Sequence, residues 1–330
     1  MLKNSITDVP GIEIGQAQDF DALTGVSVVI CRKGAVGGVD QRGGAPGTRE
    51  TDLLNPINLI DKVHAIVLAG GSAYGLDAAT GVMKYLEEQG IGFNVGVARV
   101  PIVPAAILFD LSVGRADIRP TAEMGYNAAV AANTEKPTEG NFGAGTGASV
   151  GKIFGNTSAM KSGIGTASID IGGGVIVGAL VAVNAYGDVV DPKTGEIIAG
   201  ARSSHLGPIK LGSHGYFADT LFTMRTFAGR VIEGIAMRSN TVIGVVATNA
   251  RLNKSETNKM AQMAHDGLAR VIRPSHTMLD GDTIFALSTG QKKADVSLVG
   301  AFAAEAFAQA CLRAVHTAES AGGLPGLGKH

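Results

Sequence analysis

Short apolar runs broken by glycine alternate with polar turns along the chain. Val26 to Arg32 predicts a strand, followed by a glycine-rich loop through Gly47. Val63 to Ala69 is a second apolar run, ended by Gly70-Gly71-Ser72. Leu76, Ala79, Val82, Met83 and Leu86 recur at helical spacing, which predicts a helix from Leu76 to Glu88. Ala148 to Ile153, Gly174 to Asn184 and Val189 to Val190 read as strands, with a hairpin turn at Asp191-Pro192-Lys193-Thr194-Gly195. His205 to Phe217 is polar and glycine-rich and reads as a surface loop leading toward residue 240. Thr241 to Thr248 has the apolar content of a buried strand. Asn253 can cap a helix with Glu256 as its capping-box partner. That helix is expected to run to about Ile272, with Met260, Met263, Ala264, Leu268, Val271 and Ile272 on one face. Thr283 to Ser288 predicts a strand and Asp295 to Ser320 an alanine-rich helix. The last segment, Ala321 to His330, has four glycines and a proline and reads as a mobile tail.

Strands and helices alternate without a repeated βαβ unit, and no internal repeat is visible. This order favours a layered α+β sandwich over a doubly wound sheet. The chain has 330 residues, 45% of them hydrophobic and 17% charged, so it can bury a large core as a single domain. Its 47 glycines are about twice average usage and follow no collagen period, which implies many tight turns. Tryptophan is absent and aromatics make only 5%, so Ala, Val, Ile and Leu must fill the core.

The formal net charge is −1 and no run of basic residues occurs, which argues against nucleic acid as a partner. The N-terminus lacks the apolar core of a signal peptide. The longest uncharged apolar stretch, Ile171 to Gly187, falls short of the ~20 residues of a spanning helix. No membrane partner and a cytoplasmic location are therefore expected. Cys31 and Cys311 are far apart and form no metal spacing; both read as buried apolar residues. The seven histidines include no His-x-x-x-His pair, so no metal or other cofactor is expected.

The segment with most chemical content is Ser239-Asn240-Thr241-Val242-Ile243-Gly244. A hydroxyl residue at the entry of a buried strand suits a self-cleaving hydrolase. Thr241 can attack the carbonyl of Asn240, take the acyl group onto its oxygen, and be freed by water with a new terminal amine beside its hydroxyl. The alternative is a strand-initial threonine after a turn-forming asparagine. Two other segments fail as motifs. Thr146-Gly147-Ala148-Ser149-Val150-Gly151-Lys152-Ile153 has Thr146 and Ile153 where a phosphate-binding loop needs Gly and Ser/Thr. Gly70-Gly71-Ser72-Ala73-Tyr74 ends in Tyr74 where a nucleophile elbow needs Gly.

Three further features admit both a bland and a chemical reading. Lys152 ends an apolar, glycine-rich segment where a charge has little company, and is either a snorkelling surface lysine or a functional cation. Asn184 ends the run from Gly174 and is either a turn residue or an amide donor for an oxyanion. Asp280 and Asp282, two residues apart at a strand entry, are either an acidic turn or a carboxylate pair on one face.

From Asp8 to about Ser320 the chain resembles the DmpA-type aminopeptidases and their relatives, the β-aminopeptidases and nylon-oligomer hydrolases. The resemblance is carried by Asp8-Val9-Pro10-Gly11, Arg42-Gly43-Gly44-Ala45-Pro46-Gly47-Thr48-Arg49-Glu50-Thr51 and Gly70-Gly71-Ser72-Ala73-Tyr74-Gly75-Leu76. It continues in Pro101-Ile102-Val103-Pro104-Ala105-Ala106, Gly143-Ala144-Gly145-Thr146-Gly147-Ala148-Ser149 and the segment at 240. The order and number of these motifs together are specific.

The resemblance implies a four-layer αββα sandwich, also found in ornithine acetyltransferases. It implies self-cleavage into 1–240 and 241–330, and a homotetramer of processed protomers. It assigns Thr241 as nucleophile, with Lys152, Asn184, Asp280 and Asp282 around it. The Asn240-Thr241 junction and the two aspartates tilt the chain toward the nylon-hydrolase branch, with linear amide oligomers or peptides with a free amino end as substrates. Tyr74 and Phe109 are candidates for the substrate wall. Some relatives have a tyrosine at the position of Phe109, and its hydroxyl role cannot carry over. An acyltransferase of the ornithine-acetyltransferase type and an unprocessed binding protein remain the alternatives.

Overall fold

The computed structural model describes residues 2–206, 209–212, 215–226 and 240–329. A nine-stranded mixed sheet organises them. Its strands are β1 (Glu13–Asp19), β2 (Thr24–Gln41), β3 (Thr48–Arg49), β4 (Lys62–Ala69), β5 (Ala105–Ile107), β6 (Ile164–Asp170), β7 (Ile176–Asn184), β8 (Thr241–Ala250) and β9 (Thr283–Lys292). They lie in the order β6-β7-β8-β9-β2-β4-β5-β3, with β1 paired to β2 beside this path. Among the described residues, four α-helices of two turns or more shape the layers beside this sheet: α1 (Ala78–Glu88), α2 (Ala122–Val130), α3 (Lys254–Val271) and α4 (Val296–His316).

The layers follow from the alternation of side chains along the strands. Ile243, Val245 and Ala247 of β8 face a central core shared with Val29, Leu68, Ala106 and Phe285. Val242 and Val246 face the other way, onto Met260, Leu268 and Phe307 of α3 and α4. On the far side Val26, Val28 and Val67 pack on Val82 and Leu86 of α1 and Ala128 of α2. The stack therefore runs helices, sheet, sheet, helices: an α+β, αββα sandwich. The long strand β2 joins the two sheet halves, pairing with β1 and β4 along its first part and with β9 along its last. Every residue of β8 is buried. Each buried Val or Ile contributes roughly 1.5–3 kcal/mol, so this strand fixes the position of its first residue, Thr241.

Several sequence expectations hold closely. Asn253 caps α3 with the Glu256 capping box. Cys31 and Cys311 are buried free thiols. Gly267, in mid-helix, lets α3 meet α4, since a Cβ there would lie 2.0 Å from the Ala304 carbonyl oxygen.

Others are corrected. The expected loop after Arg32 is mostly strand, because β2 continues to Gln41 through an irregularity between Ile30 and Ala35. Ala148 to Ile153 keeps only the short strand Ser149–Val150. Two βαβ crossovers do occur: β4 and β5 pair in parallel with α1 between them, and β8 and β9 pair in parallel across α3. The expected loop from His205 to Phe217 contains a small hairpin, Ser204–Leu206 with Ile209–Leu211. Residues 207, 208, 213 and 214 of it lie outside the described residues, as does Ser239. The tail is pinned as far as Gly328: Leu324 is buried, Pro325 accepts from Lys161 N–H at 2.9 Å, and Gly328 N–H donates to Ala318 at 2.7 Å. By length and composition α4 could cross a membrane. Here Val299, Ala303, Phe307, Ala310 and Ala314 are buried at helical spacing, against α3 and the sheet.

Candidate active site

The sheet brings the sequence-predicted residues to one place. Asn184, last residue of β7, is the cross-strand partner of Thr241, first residue of β8. On the other side, Asn240 forms a parallel bridge with Asp280 just before β9. Thr241 is 4% exposed and Asn240 2%. The Thr241 hydroxyl donates to the carbonyl oxygen of Asn240. The same carbonyl accepts from Gly281 N–H at 2.9 Å.

Lys152 is buried and reaches the strand partner of Thr241, Asn184. Its Nζ lies 2.6 Å from Asn184 Oδ1 and 3.1 Å from the Asn184 carbonyl oxygen. Ser149 N–H also donates to Oδ1, at 3.1 Å. The amide nitrogen of Asn184 donates to the Phe109 carbonyl at 2.9 Å. Phe109 thus enters through its main chain. Burial pushes the Lys152 ammonium down to about 7, against the pull of Asp280 and Asp110.

The two aspartates have different tasks. Asp282 Oδ1 accepts from Val242 N–H at 2.8 Å, one residue past Thr241. Its other oxygen accepts from His276 through the main chain at 3.1 Å and through Nδ1 at 2.8 Å. Asp280 accepts from the Thr277 hydroxyl at 2.6 Å and its N–H at 2.8 Å. Burial, and then the neighbouring Asp282 charge, push the Asp280 carboxyl up to about 6. The Arg42–Ala45 turn closes over this pair: Arg42 N–H donates to Asp282 O and Ala45 N–H to Asp280 O, at 3.0 and 2.8 Å. Gly43 permits that approach, since a Cβ there would lie 2.2 Å from Asp280 O.

Tyr74 is not part of this hydrogen-bonded group. It is 60% exposed, and the Arg119 guanidinium sits 4.0 Å above its ring. Among the described residues, no cluster of His, Cys, Asp and Glu could hold a metal ion.

The family model for peptidase family S58 matches residues 4–327. The chain belongs to peptidase family S58. An uncharacterized aminopeptidase of Mycobacterium leprae is 43% identical over 360 residues, covering 98% of this chain and 92% of that protein. A 6-aminohexanoate-oligomer endohydrolase of Kocuria sp. is 30% identical over 320 residues, covering 93% and 84%. The L-aminopeptidase D-Ala-esterase/amidase of Ochrobactrum anthropi, a variant of the Ntn-hydrolase fold, superposes with a TM-score of 0.70 at 19% identity, over 96% of this chain and 86% of its own. A Burkholderia sp. β-aminopeptidase gives 0.67 at 23% identity, over 98% and 91%. At those identities the two structures establish the fold.

The S58 site holds more than the sequence disclosed. Asp110 is a buried carboxylate that accepts from Gly71 N–H and the Thr24 hydroxyl, both at 2.7 Å. Burial raises it to about 6, with Lys152 pulling the other way. Gly70 makes room for it, since a Cβ there would lie 1.9 Å from Asp110 Oδ2. Lys161 is a second buried lysine, donating to the carbonyls of Gly145, Ala148 and Ser162 and so bracing the turn that leads to Ser149. A lone charge inside an apolar run was the available signal for Asp110; Lys161, among Ser, Ala, Met and Gly, had none. His276, six residues before Asp282, carried no such signal.

Proposed function

We propose that this S58 chain is a self-processing amide hydrolase with Thr241 as its nucleophile. The observation that carries this is the geometry of one bond. The Thr241 hydroxyl and Gly281 N–H both meet the Asn240 carbonyl, in a buried pocket flanked by Lys152 and the aspartate pair. Gly281 N–H polarises the carbonyl and would stabilise the negative charge that builds on its oxygen as the tetrahedral intermediate forms. Thr241 Oγ1 bonds to the Asn240 carbonyl carbon, and the peptide bond breaks as the proton lost by the hydroxyl passes on to Thr241 N, which leaves as an amine. Lys152, held near neutrality by burial, is the group available to take the hydroxyl proton before any terminal amine exists. Water then hydrolyses the ester and leaves Asn240 with a carboxylate.

The freed Thr241 amine, with an ordinary pKa of about 7.7–8.0, becomes the base for substrate turnover. Thr241 Oγ1 attacks the substrate carbonyl, the amine leaving group departs with a proton, and water releases the acyl product. No cofactor is required by these steps. Peptides with a free amino end are the first substrate class, supported by the higher identity to the mycobacterial aminopeptidase. Linear 6-aminohexanoate oligomers are the second, supported by the endohydrolase relative and by the Asn240-Thr241 and Asp280-Gly281-Asp282 segments. A homotetramer of processed protomers is the expected assembly.

Intact mass and a denaturing gel test the reading. The 33.6 kDa chain should give pieces of roughly 24 and 9 kDa, the smaller beginning Thr-Val-Ile-Gly. Thr241→Ala should stay as one chain and lose hydrolysis of an aminoacyl-anilide, because one hydroxyl serves both reactions. A fully active preparation that contains only intact chain would refute the proposal.

A further inference from the structure

Asp282 joins two things that the sequence keeps apart. One oxygen holds Val242 N–H, next to Thr241, and the other is held by His276. An ionised carboxylate only accepts, so His276 Nδ1 is the donor on this contact. Nε2 is buried and finds no hydrogen-bond partner among the described residues. The ring is fixed from behind by His265, edge-on at 4.8 Å between centroids. His265 in turn bonds the Asp40 carbonyl through Nε2 at 3.0 Å. Burial pushes His265 down to about 4, so it stays neutral beside His276 near pH 7. His276 also has a left-handed backbone, φ 58°, which a non-glycine residue keeps only where its surroundings demand it.

We propose that His276 is a positioning residue for the nucleophile. Its Nδ1–H locks Asp282 in the rotamer that holds Val242 N–H, and so sets the orientation of Thr241 at the mouth of β8. The inference rests on the reading of Thr241 as nucleophile. The ring makes no contact with the reacting atoms and acts through Asp282. It should therefore be needed both for chain cleavage and for turnover, and should change kcat far more than KM.

Two substitutions test this without disturbing the backbone, since glycine and asparagine both accept the left-handed conformation. His276→Gly keeps the main-chain N–H on Asp282 and removes the ring. His276→Asn keeps a side-chain N–H donor close to the place of Nδ1. Cleavage half-time, kcat and KM on an aminoacyl-nitroanilide, and melting temperature are measured for both, beside Thr241→Ala. His276→Gly should lower kcat about 10- to 100-fold, the range for losing a hydrogen bond to a charged group, with KM within about twofold. His276→Asn should recover most of that loss. Parental kcat in His276→Gly would overturn the proposal, as would an equal loss in His276→Asn or a melting temperature too low for the fold to persist. If Thr241→Ala remained active, the nucleophile reading itself would fail. If Thr241→Ala were dead and His276→Gly normal, only the role of His276 would fall.

Discussion

The main-chain N–H of Gly281 donates to the carbonyl oxygen of Asn240 at 2.9 Å, from between the two aspartates of the site. The glycine is also a steric requirement. A Cβ at position 281 would stand 2.9 Å from Thr241 Oγ1 and 2.6 Å from the Ala45 carbonyl oxygen. The second of these is backbone and cannot swing aside.

Gly281→Ala should therefore displace either Thr241 or the turn that closes over it. Misplacing a reacting group by about 1 Å costs up to about 100-fold in rate. We expect precursor cleavage to slow at least tenfold on that scale, with the folded state retained. Time-resolved gels read the first quantity and a thermal melt the second. Cleavage at the parental rate would remove Gly281 from the site.

Asn240 supplies a different prediction. Among the described residues, both polar atoms of its buried side chain lack a hydrogen-bond partner. A buried unsatisfied polar group costs about 1–3 kcal/mol. The reaction uses only the main-chain carbonyl of this residue. Asn240→Leu, placed in the uncleavable Thr241→Ala background, should raise unfolding stability by roughly that 1–3 kcal/mol. With Thr241 present it should still cleave. Denaturant titration and intact mass check the two halves. A less stable precursor would mean that the Asn240 amide has a partner in solution.

The sequence made the elements around this junction legible because their signals are local. The run from Thr241 to Thr248 is continuous apolar, and Asn253 with Glu256 spells a capping box; both appear where expected. Lys152, Asn184, Asp280 and Asp282 also meet at one place. The resemblance pointed to them, whereas single-residue chemistry left each with a bland alternative. What stayed hidden depends on long-range approach. The glycines after Arg32 looked like a loop, yet Gly38 lies in β2 where a Cβ would sit 2.6 Å from the α3 backbone nitrogen of Asn258. The glycine-rich tail looked mobile, yet its carbonyl at Pro325 serves a strand far back in the chain. Asp110 and Lys161 were passed over because their partners are main-chain groups and, for Asp110, also the hydroxyl of Thr24 far back in the chain, which no local pattern announces.

The buried lysines make a prediction whose sign depends on the direction of their shift. Lys152 and Lys161 are each lowered from 10.5 to about 7 by burial. Between about pH 7 and 10.5 the unfolded chain binds these protons and the folded chain does not. Stability then rises with pH across that window, and is lost as pH falls toward 7. The uncleavable Thr241→Ala precursor should show this slope in denaturant titrations. Adding Lys152→Met should leave about half of it, because Lys161 titrates over the same range. In the chain that keeps Thr241, cleavage should speed up as pH rises through about 7, where Lys152 loses its proton. Lys152→Met should abolish that rise, and Lys152→Arg should not restore it, because a guanidinium stays protonated. Cleavage half-times between pH 5.5 and 8.5, on the order of a unit and a half to either side of that midpoint, would show it. A Lys152→Arg variant that cleaved with the parental pH profile would take the proton-accepting role away from Lys152 and leave it only the task of holding Asn184.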